Sequence, residues 1–211
     1  MHELLERDPK TGRRVYQEAA LLLPRKSGKS TLIAALAVFQ TIRDQGREPQ
    51  TVVAAASRDQ AQIIFRQIKA FIASNPELSR LLTPRQYQID VAGGGFIRVV
   101  SSDGRLQHGS NPSMVIVDEL WAHRDDGELY TALTSGSGAR EEPLAVVIST
   151  PGYDREQILG KIYQRVIETA PDQVFESEPF YRRIARDRAN GFLLYHYGAP
   201  DDADPDDPQD R

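Results

Sequence analysis

The sequence predicts an α/β fold: a mostly parallel sheet with helices on both faces. Three observations predict it. Apolar or β-branched runs at 14–23, 51–56, 114–117 and 144–148 alternate with stretches of helical periodicity at 29–45, 58–74 and 154–170, which is the order that strand–helix–strand units require. The apolar runs of the first and third strands, and that of the fourth, end abruptly in polar residues suited to ligand chemistry, and ligands in such sheets bind beyond the carboxyl ends of the strands. The chain has 211 residues, 40% of them hydrophobic, enough for one α/β domain with a sizeable core.

Residues 1–12 are polar, with Pro9 and Gly12, and read as a partly ordered lead-in segment. The first core strand, 14–23, carries the apolar run Ala19–Leu23 and stops at Pro24. A helix follows over 29–45, with Leu32, Ile33, Leu36, Ala37 and Phe39 at helical spacing and Gly46 as its stop. Thr51–Ala56 is a second strand, and 58–74 is a helix with Ala61, Ile64, Phe65, Ile68, Phe71 and Ile72 on one face, closed by Asn75-Pro76. Residues 86–101 alternate around Gly93-Gly94-Gly95 and read as a hairpin, and 101–113 is a polar loop. Met114–Val117 is a continuous apolar run, as expected of a strand buried on both faces. A short helix over 126–135, a buried strand over 144–148 and a helix over 154–170 follow. After Pro171 the pattern gives a strand over 174–180, a helix over 182–189 and an extended stretch over 191–197. In domain terms, 13–180 is one nucleotide-binding domain, 181–197 a linker or the start of a truncated following region, and 198–211 a disordered acidic tail.

The chemistry concentrates at three strand ends. Pro24, Arg25, Lys26, Ser27, Gly28, Lys29, Ser30 and Thr31 join the first strand to the first helix. Strand, tight loop with Gly-Lys-Ser, then helix is the layout of a phosphate-binding P-loop, in which backbone N–H groups and the helix N-terminus face phosphate oxygens. Lys29 then reaches the β- and γ-phosphates, and Ser30 holds Mg²⁺ through its hydroxyl. The usual pattern has Gly five residues before Gly28, where this chain has Leu23. The alternative for the loop is a basic strand-to-helix turn capped by Ser27. Asp118 and Glu119 end the 114–117 strand, Asp118 beside the Mg²⁺ and Glu119 one residue further, where it polarises an attacking water; the alternative is a solvated acidic loop. Together the two motifs describe an ASCE-type P-loop NTPase using ATP and Mg²⁺. Ser149, Thr150 and Pro151 form the third strand end, and by themselves read as a capped turn.

LPRKSGKS, VIVDELWAH and VISTPG together resemble the large terminase subunit of tailed phages, over roughly residues 10–170. The resemblance implies an ATP-hydrolysing domain of a DNA-packaging motor. It makes Glu119 the catalytic base, Ser149–Pro151 the motif coupling γ-phosphate state to movement, and the loop cation Arg25 a γ-phosphate sensor. A ring motor needs a cation reaching into the neighbouring subunit's site, for which Arg105 is the first candidate and Arg140 the second. Implied partners are double-stranded DNA, a small terminase subunit, the portal and further copies in a homo-oligomeric ring, in the cytoplasm of the bacterial host. Two rival readings are another P-loop nucleic-acid ATPase or helicase, and a non-catalytic terminase fragment.

Net charge is −4, which speaks against a strongly basic DNA binder. Asp201, Asp202, Asp204, Asp206, Asp207 and Asp210 lie in the tail, however, so the remainder is near neutral. Those aspartates are packed into one Pro-interrupted stretch without strands to fix them, so the metal constellation of the family's nuclease domain is not expected and no nuclease activity is assigned. Absence of Cys excludes disulfides and thiolate metal sites. No apolar run is long enough to span a bilayer. Tyr16 and Gln17 read as core-strand packing; Trp121 and His123 read as packing and local hydrogen bonding.

Overall fold

The apolar runs become strands buried along most of their length. The computed structural model describes residues 2–44, 47–101, 111–123, 127–137, 140–151, 156–177 and 181–198. By their internal contacts these fall into two units, one from Gly28 to Ile148 and one made of the described residues before and after it. In chain order the strands are β1 (Glu18–Leu22), β2 (Gln50–Ala55), β3 (Leu82–Pro84), β4 (Gln88–Val91) and β5 (Phe96–Ser101), then β6 (Met114–Asp118), β7 (Leu144–Ser149), β8 (Asp172–Glu176), β9 (Tyr181–Asp187) and β10 (Phe192–Gly198). The helices are α1 (Lys29–Arg43), α2 (Arg58–Ser74), α3 (Pro76–Leu81), α4 (Glu128–Gly136) and α5 (Ile158–Thr169).

In the unit 28–148 the strand order is β3-β4-β5-β2-β6-β7. β5, β2, β6 and β7 run parallel, with Val53 opposite both Val99 and Ile116, and Asp118 opposite Ile148. β3 and β4 extend this core antiparallel. Met114 to Val117 are fully buried, which is why β6 reads as an unbroken apolar run and not as an alternating one. The β4–β5 hairpin forms around the three glycines; at Gly95, with φ +97°, a Cβ would stand 2.3 Å from the Pro49 carbonyl oxygen, so no side chain fits. The α1 core face is Ile33, Ala34, Leu36 and Ala37, and a buried 2.6 Å hydrogen bond joins the Thr41 and Thr51 hydroxyls of α1 and β2. Asn75 closes α2 as expected and also opens α3: its Oδ1 accepts from the N–H groups of Glu77 and Leu78, with Pro76 in the first helical turn. Neither α3 nor β3 is anticipated by the sequence reading.

In the other unit the order is β1-β10-β9-β8. β1 and β10 are parallel, with Ala20 opposite Leu194, and β10, β9 and β8 are antiparallel. Residues 181–197, expected to be a linker or the start of a truncated following region, fall in a hairpin that ends at Gly198, and the helix expected over 182–189 is a strand to Asp187. Arginine and alanine favour helix locally, but the ladder from Tyr181–Gly198 to Asp187–Phe192 satisfies the backbone and buries Tyr181, Ile184 and Ala185, so packing overrides propensity. The first strand is shorter than expected: the N–H groups of Gln17 and Glu18 both donate to Gly191 O just before the ladder with β10. Gly46, Arg105, Gly152 and the tail aspartates lie outside the described residues.

Candidate functional site

The site grows from the first turns of two helices and the end of one strand, all in the unit 28–148. Gly28 caps α1 with φ 80°, a backbone angle that favours glycine, and its carbonyl accepts from Leu32 N–H. Lys29 and Ser30 are therefore the first residues of the helix, where N–H groups lack intrahelical partners and anions are favoured. β6 delivers Asp118, 1% exposed, at its last position. Glu119 follows in the left-handed region, φ 50° and ψ 54°, which a non-glycine residue adopts at a cost of roughly 1 kcal/mol or more. Two backbone bonds hold it there: its N–H donates to Ile148 O (2.9 Å) and its C=O accepts from Ala122 N–H (2.8 Å).

Lys29 Nζ stands 3.6 Å from Glu119 Oε1. Glu119 Oε2 accepts from Trp121 Nε1–H at 2.7 Å. Gln60, in the first turn of α2, donates through Nε2 to Asp118 Oδ2 at 2.8 Å and to Ser30 Oγ at 3.4 Å. One amide group therefore spans the two residues expected to hold Mg²⁺. One turn pair further along α2, Gln67 Nε2 donates to the hydroxyl of Thr31 (3.1 Å). Burial pushes the Asp118 carboxyl up to about 6, Gln60's N–H pulls it back, the neighbouring Glu119 adds to the rise, and Lys29 opposes it. A cation beside Asp118 favours its ionised form by the same electrostatics. His123, also buried, has Nε2 at 2.9 Å from the Asp118 carbonyl oxygen, the local hydrogen-bonding role expected of it.

The donor set fits a hard divalent cation shared with phosphates. Ser30 hydroxyl and Asp118 carboxylate are oxygen ligands drawn toward one amide, and Mg²⁺ is typically held by one or two protein oxygens plus water and substrate phosphates. Among the described residues no group of three or more His, Cys, Asp or Glu forms an all-protein metal cage.

Of the remaining expected site residues, those of the loop before Gly28 and those after Ile148 lie in the other unit. Pro24, Arg25, Lys26 and Ser27 are exposed in a turn, with Lys26 at φ 63°. The same unit carries Ser149, Thr150 and Pro151; Ser149 and Thr150 are buried, and Ser149 O accepts from Leu23 N–H at 2.8 Å, next to Pro24. Tyr16 is fully buried. Arg105 lies outside the described residues. Arg140, the second candidate for the cation reaching a neighbouring subunit, donates through its guanidinium to the carbonyls of Asn111 (2.8 Å), Arg47 (3.1 Å) and Glu48 (3.1 Å). Gln60 is the residue that sequence reasoning misses. Its signal is the spacing Ser57-x-x-Gln60, which reads as a capping box; Ser57 Oγ does accept from Gln60 N–H, but the Gln60 side chain goes to Asp118.

The family model described as "Terminase large subunit, ATPase domain" matches residues 7–168. The chain is 31% identical over 147 residues to the terminase large subunit of Enterobacteria phage HK97, covering 67% of this chain and 29% of that protein. In structure it is similar to the HK97 large terminase, with TM-score 0.71 and 26% identity over 90% of this chain and 37% of that one. It also resembles the ATPase domain of the Thermus phage P74-26 large terminase, with TM-score 0.61 and 20% identity over 92% of this chain and 82% of that one, a likeness of fold. The chain thus spans less than a third of the curated HK97 relative.

Proposed function

This chain belongs to the terminase large subunit ATPase-domain family, that of DNA-packaging motors, and on that premise we propose that it hydrolyses Mg-ATP at the Lys29–Glu119 site to drive double-stranded DNA into a capsid. The observation that carries the reading is the convergence of Lys29, Ser30, Asp118 and Glu119, with Gln60 bridging the two oxygen ligands. Lys29 binds the β- and γ-phosphate oxygens, with Arg25 and the loop N–H groups from Lys26 to Thr31 completing the cradle. Ser30 and Asp118 would hold Mg²⁺, which when bound would supply positive charge against the phosphates. Glu119 accepts a proton from water as the water oxygen bonds to the γ-phosphorus and the bond to the bridging oxygen breaks, giving ADP and phosphate. Most of the acceleration comes from positioning and electrostatics, as is general for phosphoryl transfer.

Ser149–Pro151, joined to the P-loop through Leu23, relays phosphate state to the rest of the motor. Arg105 is the proposed cation acting in trans. The small terminase subunit, the portal and further copies in a ring are the proposed partners, in the bacterial cytoplasm where such motors assemble. The test is phosphate release from Mg-ATP, with and without double-stranded DNA, for wild type, Lys29→Ala and Glu119→Gln. Turnover in wild type and its loss in both variants is the expected result; wild-type turnover untouched by either substitution sinks the assignment.

A further inference from the structure

We infer that Trp121 is a positioning residue for Glu119, and that Lys29 shields the glutamate until a nucleotide's phosphates draw the lysine away. The inference rests on the proposed role of Glu119 as the base.

The two carboxylate oxygens of Glu119 have different neighbours. Oε2 accepts from the Trp121 indole N–H at 2.7 Å, and Oε1 faces the Lys29 ammonium at 3.6 Å. Trp121 lies in the single 3₁₀ turn Leu120–Ala122 that follows Glu119, so the ring folds back over the end of its own strand. Indole suits this task. It offers one N–H and no acceptor, so it can neither take the water's proton nor bind the water in the carboxylate's place.

Lys29 adds the dependence on substrate. Its side chain is 10% exposed and that of Glu119 20%, so the pair is only partly screened by water. An ammonium offered a triphosphate in place of one carboxylate meets more negative charge in the same volume. Lys29 then turns to the phosphates and uncovers Oε1. Trp121 keeps Oε2, and the backbone of Glu119 is already pinned at φ 50° by its bonds to Ile148 and Ala122. The freed oxygen is therefore aimed, not released: the phosphates that require a base also expose one.

Trp121 is the only tryptophan of the chain, which makes the idea directly readable. Emission from the 211-residue chain is followed while ATP is added with Mg²⁺, and binding is measured separately by calorimetry. In wild type the emission is expected to change in step with binding. In Glu119→Ala it is expected to differ before nucleotide is added, and then to respond little although ATP still binds. In turnover, Trp121→Phe is expected to lower kcat about 10- to 100-fold with KM nearly unchanged. Biosynthetic replacement of the single tryptophan by β-(3-benzothienyl)alanine, which keeps the ring shape and lacks the N–H, should do the same and separates the hydrogen bond from packing. Emission that stays flat while calorimetry shows saturation overturns the movement of Lys29, and full kcat in the benzothienyl protein overturns the positioning role. If Glu119→Gln abolishes turnover while the benzothienyl protein keeps it, the base stands and Trp121 does not position it. If Glu119→Gln turns over normally, the base assignment and the positioning role fall together.

Discussion

The two units use their charges in opposite ways. In the unit 28–148, Lys29 faces Glu119 and Gln60 reaches Asp118, pairs whose members are expected to exchange partners when a nucleotide and its metal arrive. In the other unit four arginines are matched by carboxylates of the same unit: Arg186 by Glu3 and Asp172, Arg188 by Glu6, Arg182 by Glu176, Arg165 by Glu18. Arg183 lies over the Phe175 ring, 5.1 Å from its centroid, and donates to Tyr163 Oη. The run Tyr181–Arg188 carries four arginines, a density of positive charge that suits a phosphate backbone when it is left unmatched. In the fold it is largely a neutralised lattice tying the N-terminal segment to the β9–β10 hairpin. A basic run is therefore a poor sign of a phosphate-binding face until its counter-charges are known, whereas a lone Lys at a helix start opposite a strand-end acid is a good one.

That contrast can be broken most forcefully at the site. Lys29→Ala removes the cation proposed to meet the transferring phosphate and is expected to lower kcat/KM by a factor of about 10²–10³ or more, read by phosphate release, while the melting temperature changes little. Glu119→Gln is expected to lower kcat by about 10²–10⁴ with ATP binding retained in calorimetry. Loss of binding in Glu119→Gln equal to that in Lys29→Ala would erase the division of labour between them. A smaller effect is expected at Gln60. Its amide orients Asp118 as an outer-shell donor orients a metal ligand, and such partners are worth about 10–100-fold in metal affinity. Gln60→Ala should therefore raise the Mg²⁺ concentration needed for half-maximal nucleotide binding by that factor, and added Mg²⁺ should restore binding. If the Mg²⁺ requirement does not move, Gln60 only braces α2 against α1.

How much of this was legible depends on how far each contact reaches along the chain. Gly28-Lys29-Ser30 and Asp118-Glu119 could be read because each group is a short run at a strand end, and the fold class because β2, β6 and β7 are buried almost throughout. Gln60 could not, since it meets Ser30 and Asp118 across 30 and 58 residues. The β9 strand was hidden because its arginines mimic a helix surface, and their carboxylate partners include Glu3, far away in sequence. The bonding of Arg140 was hidden for the same reason: it goes to backbone carbonyls at 47, 48 and 111, which carry no side-chain signature. α3 was concealed by a residue with two functions, Asn75 closing one helix and capping the next.

The mildest test lies in the neutralised lattice. Glu3 accepts from Arg186 Nε (3.0 Å) and Nη2 (2.9 Å) and from the Tyr195 hydroxyl (2.6 Å). The bond from Arg186 is the main cause that holds its carboxyl below the ordinary range, burial working the other way; burial and Glu3 together push the Tyr195 hydroxyl up. A carboxyl whose pKa is depressed by folding contributes stability above its unfolded value and loses it as pH falls through its folded value. Glu3→Gln should therefore cost about 1 kcal/mol at neutral pH, and denaturant melts of wild type and variant should converge as pH drops below the ordinary glutamate range. Mg-ATP binding should be unchanged throughout. A constant gap down to acid pH would show that shape, not charge, makes this contact; a change in ATP binding would show that the lattice and the site are coupled after all.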